Sequence, residues 1–272
     1  MTRGHWYKYS ISLTVLMLSL VNSRAAGPDV LPDPDDHRIA QVIREFSRLD
    51  QLAQEALQRY AYHQVYYLEQ LDRGNNVTGT FQREWDVFYR DNGEKMTQDG
   101  PYSSIDTLKR FCVFSSYPPW LSKQVIADEF FGPDQLGKYN VSYSGHFRSG
   151  EQGAFTFSLS PKEIKPKNVY FDGVVWVDDS DYHIVKFEGI AVPDFTWGWP
   201  WRRIQIRFAH FTTYRERVGG CWFPSLTKAN DVLTFTSAGP IHIKVMLKNF
   251  GFREFRSTTR IVQAAEINTT TR

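Results

Sequence analysis

The chain has 272 residues and a formal net charge of +2, with 42% hydrophobic and 15% aromatic residues. That is apolar material for one large domain or two small ones, and too little net charge for a nucleic-acid-binding footprint. Its two cysteines, Cys112 and Cys221, are too few for a four-ligand zinc site by themselves; either a single bridge or two buried thiols fits them.

In chain order, Arg3 and Lys8 precede an apolar run of 11 residues, Ile11–Val21. Small residues at Ser23, Ala25 and Ala26 follow, and then Gly27-Pro28. This is the layout of a cleaved export signal. The run is shorter than the about 20 residues that a spanning helix needs. Residues 1–26 are therefore predicted as a signal peptide, and the mature protein as periplasmic or secreted. Removing the segment takes away Arg3, Lys8 and Arg24 and no acid, so the formal charge falls from +2 to −1.

Residues 27–36 are Pro- and Asp-rich and read as a linker, ending in the helix-start signal Asp35-Asp36. Ile39, Val42, Ile43, Phe46, Leu49, Leu52, Ala53 and Ala56 then recur at three- and four-residue spacing, which predicts an amphipathic helix over 37–58. Tyr- and Val-rich runs at 60–71 and 77–89 predict strands, and Asp91-Asn92-Gly93 is a hairpin signal. Residues 101–138 read as a helical or irregular excursion over the sheet. From Lys138 onward, strand-like segments alternate with turn clusters such as Arg148–Gly153, Asp178–Asp181, Val218-Gly219-Gly220 and Ser237–Pro240. This spacing argues for a meandering antiparallel sheet rather than alternating β and α units. Residues 263–272 form a polar tail expected to fray.

Two strands alternate cleanly. Ile204, Ile206 and Phe208 are apolar at even positions, and Ile241, Ile243, Val245 and Leu247 at odd positions. Strand geometry assigns each set to one face. The predicted fold is α+β: one domain over 37–262, a curved antiparallel half-barrel sheet, with an N-terminal helix and further helical segments covering its concave face.

The segments Tyr170–Asp179, Tyr182–Gly189, Thr213–Glu216, Trp222–Ser225 and Ala229–Asp231, taken in this order, resemble the bacterial exported proteins of the outer-membrane lipoprotein-sorting superfamily. The resemblance spans roughly residues 37–260 and is strongest over 168–232. It implies a half-barrel closed by helices around an apolar cavity. In the carrier of that superfamily the cavity takes lipoprotein acyl chains, and an arginine beneath the helical lid fastens the closed state; no arginine here is assigned that role by its motif. The implied function is non-catalytic binding or carriage of a lipid or lipoprotein acyl chain, without a cofactor. The expected lining is Ile204, Ile206, Phe208, Ile241, Ile243, Val245 and Leu247, together with Phe171, Val185 and Phe187. The same side chains could instead fill a solid core.

Other features carry competing readings. Trp197, Trp199 and Trp201 are interleaved with Gly198 and Pro200 and followed by Arg202 and Arg203. They are expected either to plug one end of the half-barrel or to form a rim that meets lipid, a membrane surface or an envelope partner. Asp178, Asp179 and Asp181 lack EF-hand spacing and read as a turn rather than a calcium site. The histidines have no paired metal-ligand spacing, and no Gly-x-Ser-x-Gly elbow is present. No catalytic or metal residue is expected. An envelope sensor or partner-binding module without lipid cargo, and an exported hydrolase with an assembled triad, are the alternatives.

Overall fold

A computed structural model describes residues 29–99, 105–107, 130–149, 152–165, 168–193, 195–197, 204–235 and 239–254. The signal peptide, the tail, Cys112, Trp199, Trp201, Arg202 and Arg203 lie outside them. So do the side chains of Trp197, Ile204, Ile206, Phe208 and Ile241.

The order is β1 (Asp29–Val30), α1 (Asp36–Leu57), β2 (Tyr60–Leu71), β3 (Val77–Tyr89), β4 (Lys95–Asp99) and β5 (Ile105–Asp106). Then come α2 (Pro133–Leu136), β6 (Tyr139–Ser149), β7 (Gln152–Pro161), β8 (Tyr170–Asp178), β9 (Ile184–Val192) and β10 (Phe195–Trp197). Three long strands close the series: β11 (Ile204–Val218), β12 (Cys221–Phe235) and β13 (Gly239–Glu254).

All strands belong to one antiparallel sheet with the path β1-β6-β7-β8-β9-β11-β12-β13-β2-β3-β4; β10 pairs with β11 and β5 with β3. The two ends of this path do not pair among the described residues, so the sheet is open. Its first hairpin, β2–β3, joins through β2 to the last strand, β13, along a ladder from His242↔Leu71 to Glu254↔Tyr60. The stretch read as a linker supplies β1, which pairs Asp29 with Arg148 and Val30 with Phe147. Asp33 extends that contact by accepting a 2.9 Å hydrogen bond from Tyr143 Oη. Burial and this bond push the Tyr143 phenol up to about 12.

Local chemistry explains several boundaries. Asp35 caps α1, its carboxylate accepting from Arg38 N at 2.7 Å. Gly219 and Gly220 both have positive φ, which suits them to the two-residue turn between β11 and β12. At Gly173 and Gly189, opposite each other on β8 and β9, the backbones come so close that a Cβ on Gly189 would lie 2.3 Å from Asp172 O.

The buried side chains form two clusters, and α1 contributes to both. The first holds Ala53, Ala56 and Leu57 of α1 with Tyr62, Tyr66, Leu68, Phe81, Trp85, Val87, Phe223, Ile243, Val245 and Leu247. The second holds Val42 and Phe46 of α1 with Phe155, Phe157, Leu159, Phe171, Val175, Val177, Ile184, Phe187 and Phe211. The buried line of α1 is thus Val42, Phe46, Asp50, Ala53 and Leu57. Leu49 is half-buried and Leu52 is 46% exposed, so the apolar stripe predicted from spacing was drawn too wide at these two positions.

Candidate functional site

The residues expected to line a cavity fall into separate places. Phe171 and Phe187 are fully buried in the second cluster. Their rings meet edge to face at 5.7 Å, and both pack on Phe131, at 5.3 and 5.5 Å, and on Phe211, at 5.9 and 6.1 Å. Ile243, Val245 and Leu247 lie in the first cluster. Lys244 between the first two and Lys248 after Leu247 are exposed, and Met246 is half-buried, as strand alternation leads one to expect. Val185 belongs to neither cluster. The ladder jumps from Trp176↔Lys186 to Val177↔Ile184, so Val185 is the extra residue of an irregularity and Ile184 takes the buried place. Phe208 shares a rung with Asp231, which in turn opposes Ile243; Ile206 shares one with Leu233, which opposes Ile241.

A second shift, between Phe208 and His210, reverses the parity of β11. Beyond it the buried positions are Phe211, Thr213 and Arg215, while Tyr214 is 42% exposed. Arg215 thereby faces α1. Its guanidinium pairs through Nη1 with Asp50 Oδ1 and reaches Oδ2 from Nη2 at 3.4 Å. The two side chains are 0% and 2% exposed. Asp50 Oδ2 also accepts from Phe131 N, and Ser47 Oγ donates to Phe131 O at 2.9 Å. The Arg215 guanidinium carbon lies 4.9 Å from the Phe130 ring centre and 5.5 Å from that of Phe187. Phe130 belongs to the first cluster and Phe131 to the second. The ion pair therefore sits at the junction of the two, tying α1, the 130–131 segment and β11 together.

The clusters differ in what they contain. Across the first runs a buried polar chain. Trp85 Nε1 donates to Gln64 Oε1 at 3.0 Å, Gln64 Nε2 to Asn249 Oδ1 at 2.7 Å, and Asn249 Nδ2 to Pro224 O at 3.0 Å. Trp85, Gln64 and Asn249 are directly opposed on β3, β2 and β13, so the chain fixes their register. The second cluster is built of aliphatic side chains, phenylalanines and two tyrosines. Inside it Tyr139 Oη accepts from Phe171 N at 3.1 Å.

Beside the second cluster a cleft of about 490 Å³ opens between α1, α2 and β6. Another, of about 840 Å³, lies against the β2, β3 and β13 ends near His63, Phe88 and Phe250. There the two ring nitrogens of His63 face Glu84 at 3.1 Å and Asp86 at 3.2 Å, so the imidazole is already engaged on both sides. The His183 ring lies 6.5 Å from that of Trp222, tilted by 37°. Burial pushes its imidazole below the usual range, against the pull of the Asp181 and Asp50 carboxylates. The Asp178 carboxylate accepts from Ser180 N at 2.9 Å and Asp181 N at 3.2 Å, the bonding of a turn. Among the described residues no group of three or more His, Cys, Asp or Glu is placed to hold a metal ion. Cys221 is a half-buried free thiol whose pKa burial raises, which makes it a poor nucleophile.

No protein-family model matches this sequence, and no curated protein is significantly similar to it.

The sequence reading missed Asp50, Arg215, Ser47 and the Phe130-Phe131 pair. One signal was present. Asp50 falls four residues after Phe46 and three before Ala53, a charged residue on the buried line of an amphipathic helix. The Arg215 side of the pair had none, because extending the even-position rule from Phe208 turns Arg215 outward.

Proposed function

We propose that this protein is an exported, non-catalytic binder or carrier of an apolar ligand, a lipid or lipoprotein acyl chain. In this reading the open sheet is a half-barrel and α1 covers its concave side. The ligand takes the place of Phe131 and the N-terminal half of α1 against Phe171, Phe187, Phe211 and Phe157.

The observation that carries the reading is the contrast between the clusters. Polar hydrogen bonds along the Trp85–Gln64–Asn249 chain make the first cluster directional. The second is held chiefly by apolar area, at about 25 cal/mol per Å², and an alkyl chain can replace such contacts without leaving polar groups unpaired. The Asp50–Arg215 pair supports the same reading. A buried ion pair is weak support for stability but well suited to holding one of two arrangements. Here it closes α1 over the second cluster. Trp197, Trp199 and Trp201, with Arg202 and Arg203, remain the proposed rim. Trp197 ends β10 opposite Ile204, at the head of that loop.

Lipid mass spectrometry on protein purified from its native host under non-denaturing conditions tests the proposal. A co-purifying lipid in near-stoichiometric amount is the expected result. A ligand-free protein that also takes up no fluorescent fatty acid contradicts it. For the rim, each Trp→Ala variant is melted and assayed for uptake. A rim tryptophan lowers uptake with an unchanged melting temperature, whereas three destabilised variants with normal uptake per folded molecule assign the loop to the core.

A further inference from the structure

We infer that the cleft between α1, α2 and β6 is the mouth of the ligand site, that it admits the alkyl chain of a free long-chain fatty acid, and that Arg44 receives the carboxylate. The inference rests on the apolar-ligand reading above and narrows its chemistry.

The cleft holds about 490 Å³, inside the range of about 300–1,000 Å³ typical of small-ligand sites. Its walls are Ile43, Arg44 and Ser47 of α1, Pro133 and Leu136 of α2, and Val141 of β6. Leu136 is a member of the second cluster, and Ile43 and Val141 pack against it. The floor of the cleft is thus the outer surface of the apolar nest proposed to bind the chain. The Ser47 hydroxyl is already engaged with Phe131 O, so it makes no demand on a ligand.

Among the described residues that line the cleft, Arg44 alone is charged. Arg44 is exposed and has no ion pair among the described residues, while Arg48, one turn on, is held by Glu45 at 3.0 Å. Lys162 Nζ donates to Gly137 O, also on the cleft wall, and Lys138 Nζ to Gln135 Oε1. Against these cations α2 carries one acid, Asp134. An apolar slot with a free guanidinium at its edge complements an amphiphile with one chain and one anionic head, and a carboxylate matches the guanidinium fork. A lipoprotein acyl chain is esterified or amidated and has no carboxylate for Arg44.

The test is calorimetric titration with monomeric dodecanoate and with dodecanol, which share a chain and differ in charge. Wild type is expected to favour dodecanoate by about tenfold or more, the worth of one hydrogen bond to a charged group. Arg44→Gln should lower dodecanoate affinity to that of dodecanol and leave dodecanol binding unchanged, with Arg44→Lys restoring part of the preference. Ile43→Gln should weaken both probes. Each variant is checked for an unchanged circular dichroism spectrum, which the exposed and half-buried positions permit. Persistence of the preference in Arg44→Gln, or full affinity in Ile43→Gln, overturns the inference while leaving the apolar-ligand reading intact. Binding of neither probe by wild type overturns that reading as well. Stronger binding to phosphatidylglycerol vesicles than to monomeric dodecanoate would assign Arg44 to a membrane surface instead.

Discussion

The two halves of the interior bury similar amounts of apolar chain but are held together differently. Around Tyr66, Trp85 and Ile243 the sheet is pinned by a side-chain chain that crosses three strands. Around Phe171, Phe187 and Phe211 the rings pack on one another and on Phe131, with Tyr139 bonding the Phe171 backbone. A hydrogen-bonded core specifies one partner at each position and penalises any substitute that leaves a donor bare. An aromatic core rewards area and tolerates exchange, provided the volume stays filled. Fixed scaffold and exchangeable seat can thus share one sheet, and the Asp50–Arg215 pair lies where they meet.

Several variants sharpen or break this contrast, from the largest effect downward. Arg215→Met strands the Asp50 carboxylate in the interior, and we expect about 3–5 kcal/mol lower stability in denaturant unfolding. Adding Asp50→Leu should recover most of it, because no charge is then left unpaired, and on the proposed function it should also ease ligand uptake. A double variant as unstable as the single one would mean that the pair is structural. Phe46, fully buried against Phe157 at 5.4 Å, should cost about 3–5 kcal/mol as Phe46→Ala. A loss under about 1 kcal/mol would show the site to be partly open already. Asn249→Leu leaves Gln64 without its acceptor and should cost about 1–3 kcal/mol by the same measurement, with uptake per folded molecule unchanged.

The pH dependence of stability should report His183. Burial lowers its pKa in the folded state, so the unfolded chain takes up the proton first as the medium is acidified. Its contribution is complete above the unfolded value of about 6.5 and is lost as the pH falls through the lower folded value. His183→Gln should flatten this part of the profile; an unchanged slope would remove His183 from the account. Smallest of all, Leu52→Ala on the exposed side of α1 should move stability by no more than about 0.5 kcal/mol.

Much of this architecture is legible in the chain. The 3.6-residue spacing places α1 to within a residue at each end, and Asp91-Asn92-Gly93 and Gly219-Gly220 mark their hairpins. The parity of β13 holds from Ile243 to Leu247 because its register there is unbroken. Parity breaks on β11 beyond Phe208, where one extra residue turns the following side chains over, and at Val185, which yields its buried place to Ile184; no residue type announces either shift. The pairing of β13 with β2 was equally hidden, since alternation describes a strand and not its neighbour. The candidate site depends on both hidden features. The shift on β11 brings Arg215 inward to Asp50, and the pairing of β13 with β2 sets Asn249 opposite Gln64 in the pinned cluster.

Hydrogen–deuterium exchange with and without saturating dodecanoate tests the central claim most directly, since it reads both clusters in one measurement. Protection should change in the strands around Phe157, Phe171 and Phe187 and in the N-terminal half of α1, with the strands around Gln64, Trp85 and Asn249 unaffected. Binding that leaves the first set unchanged, or that alters the second set instead, would contradict the division of the interior into scaffold and seat.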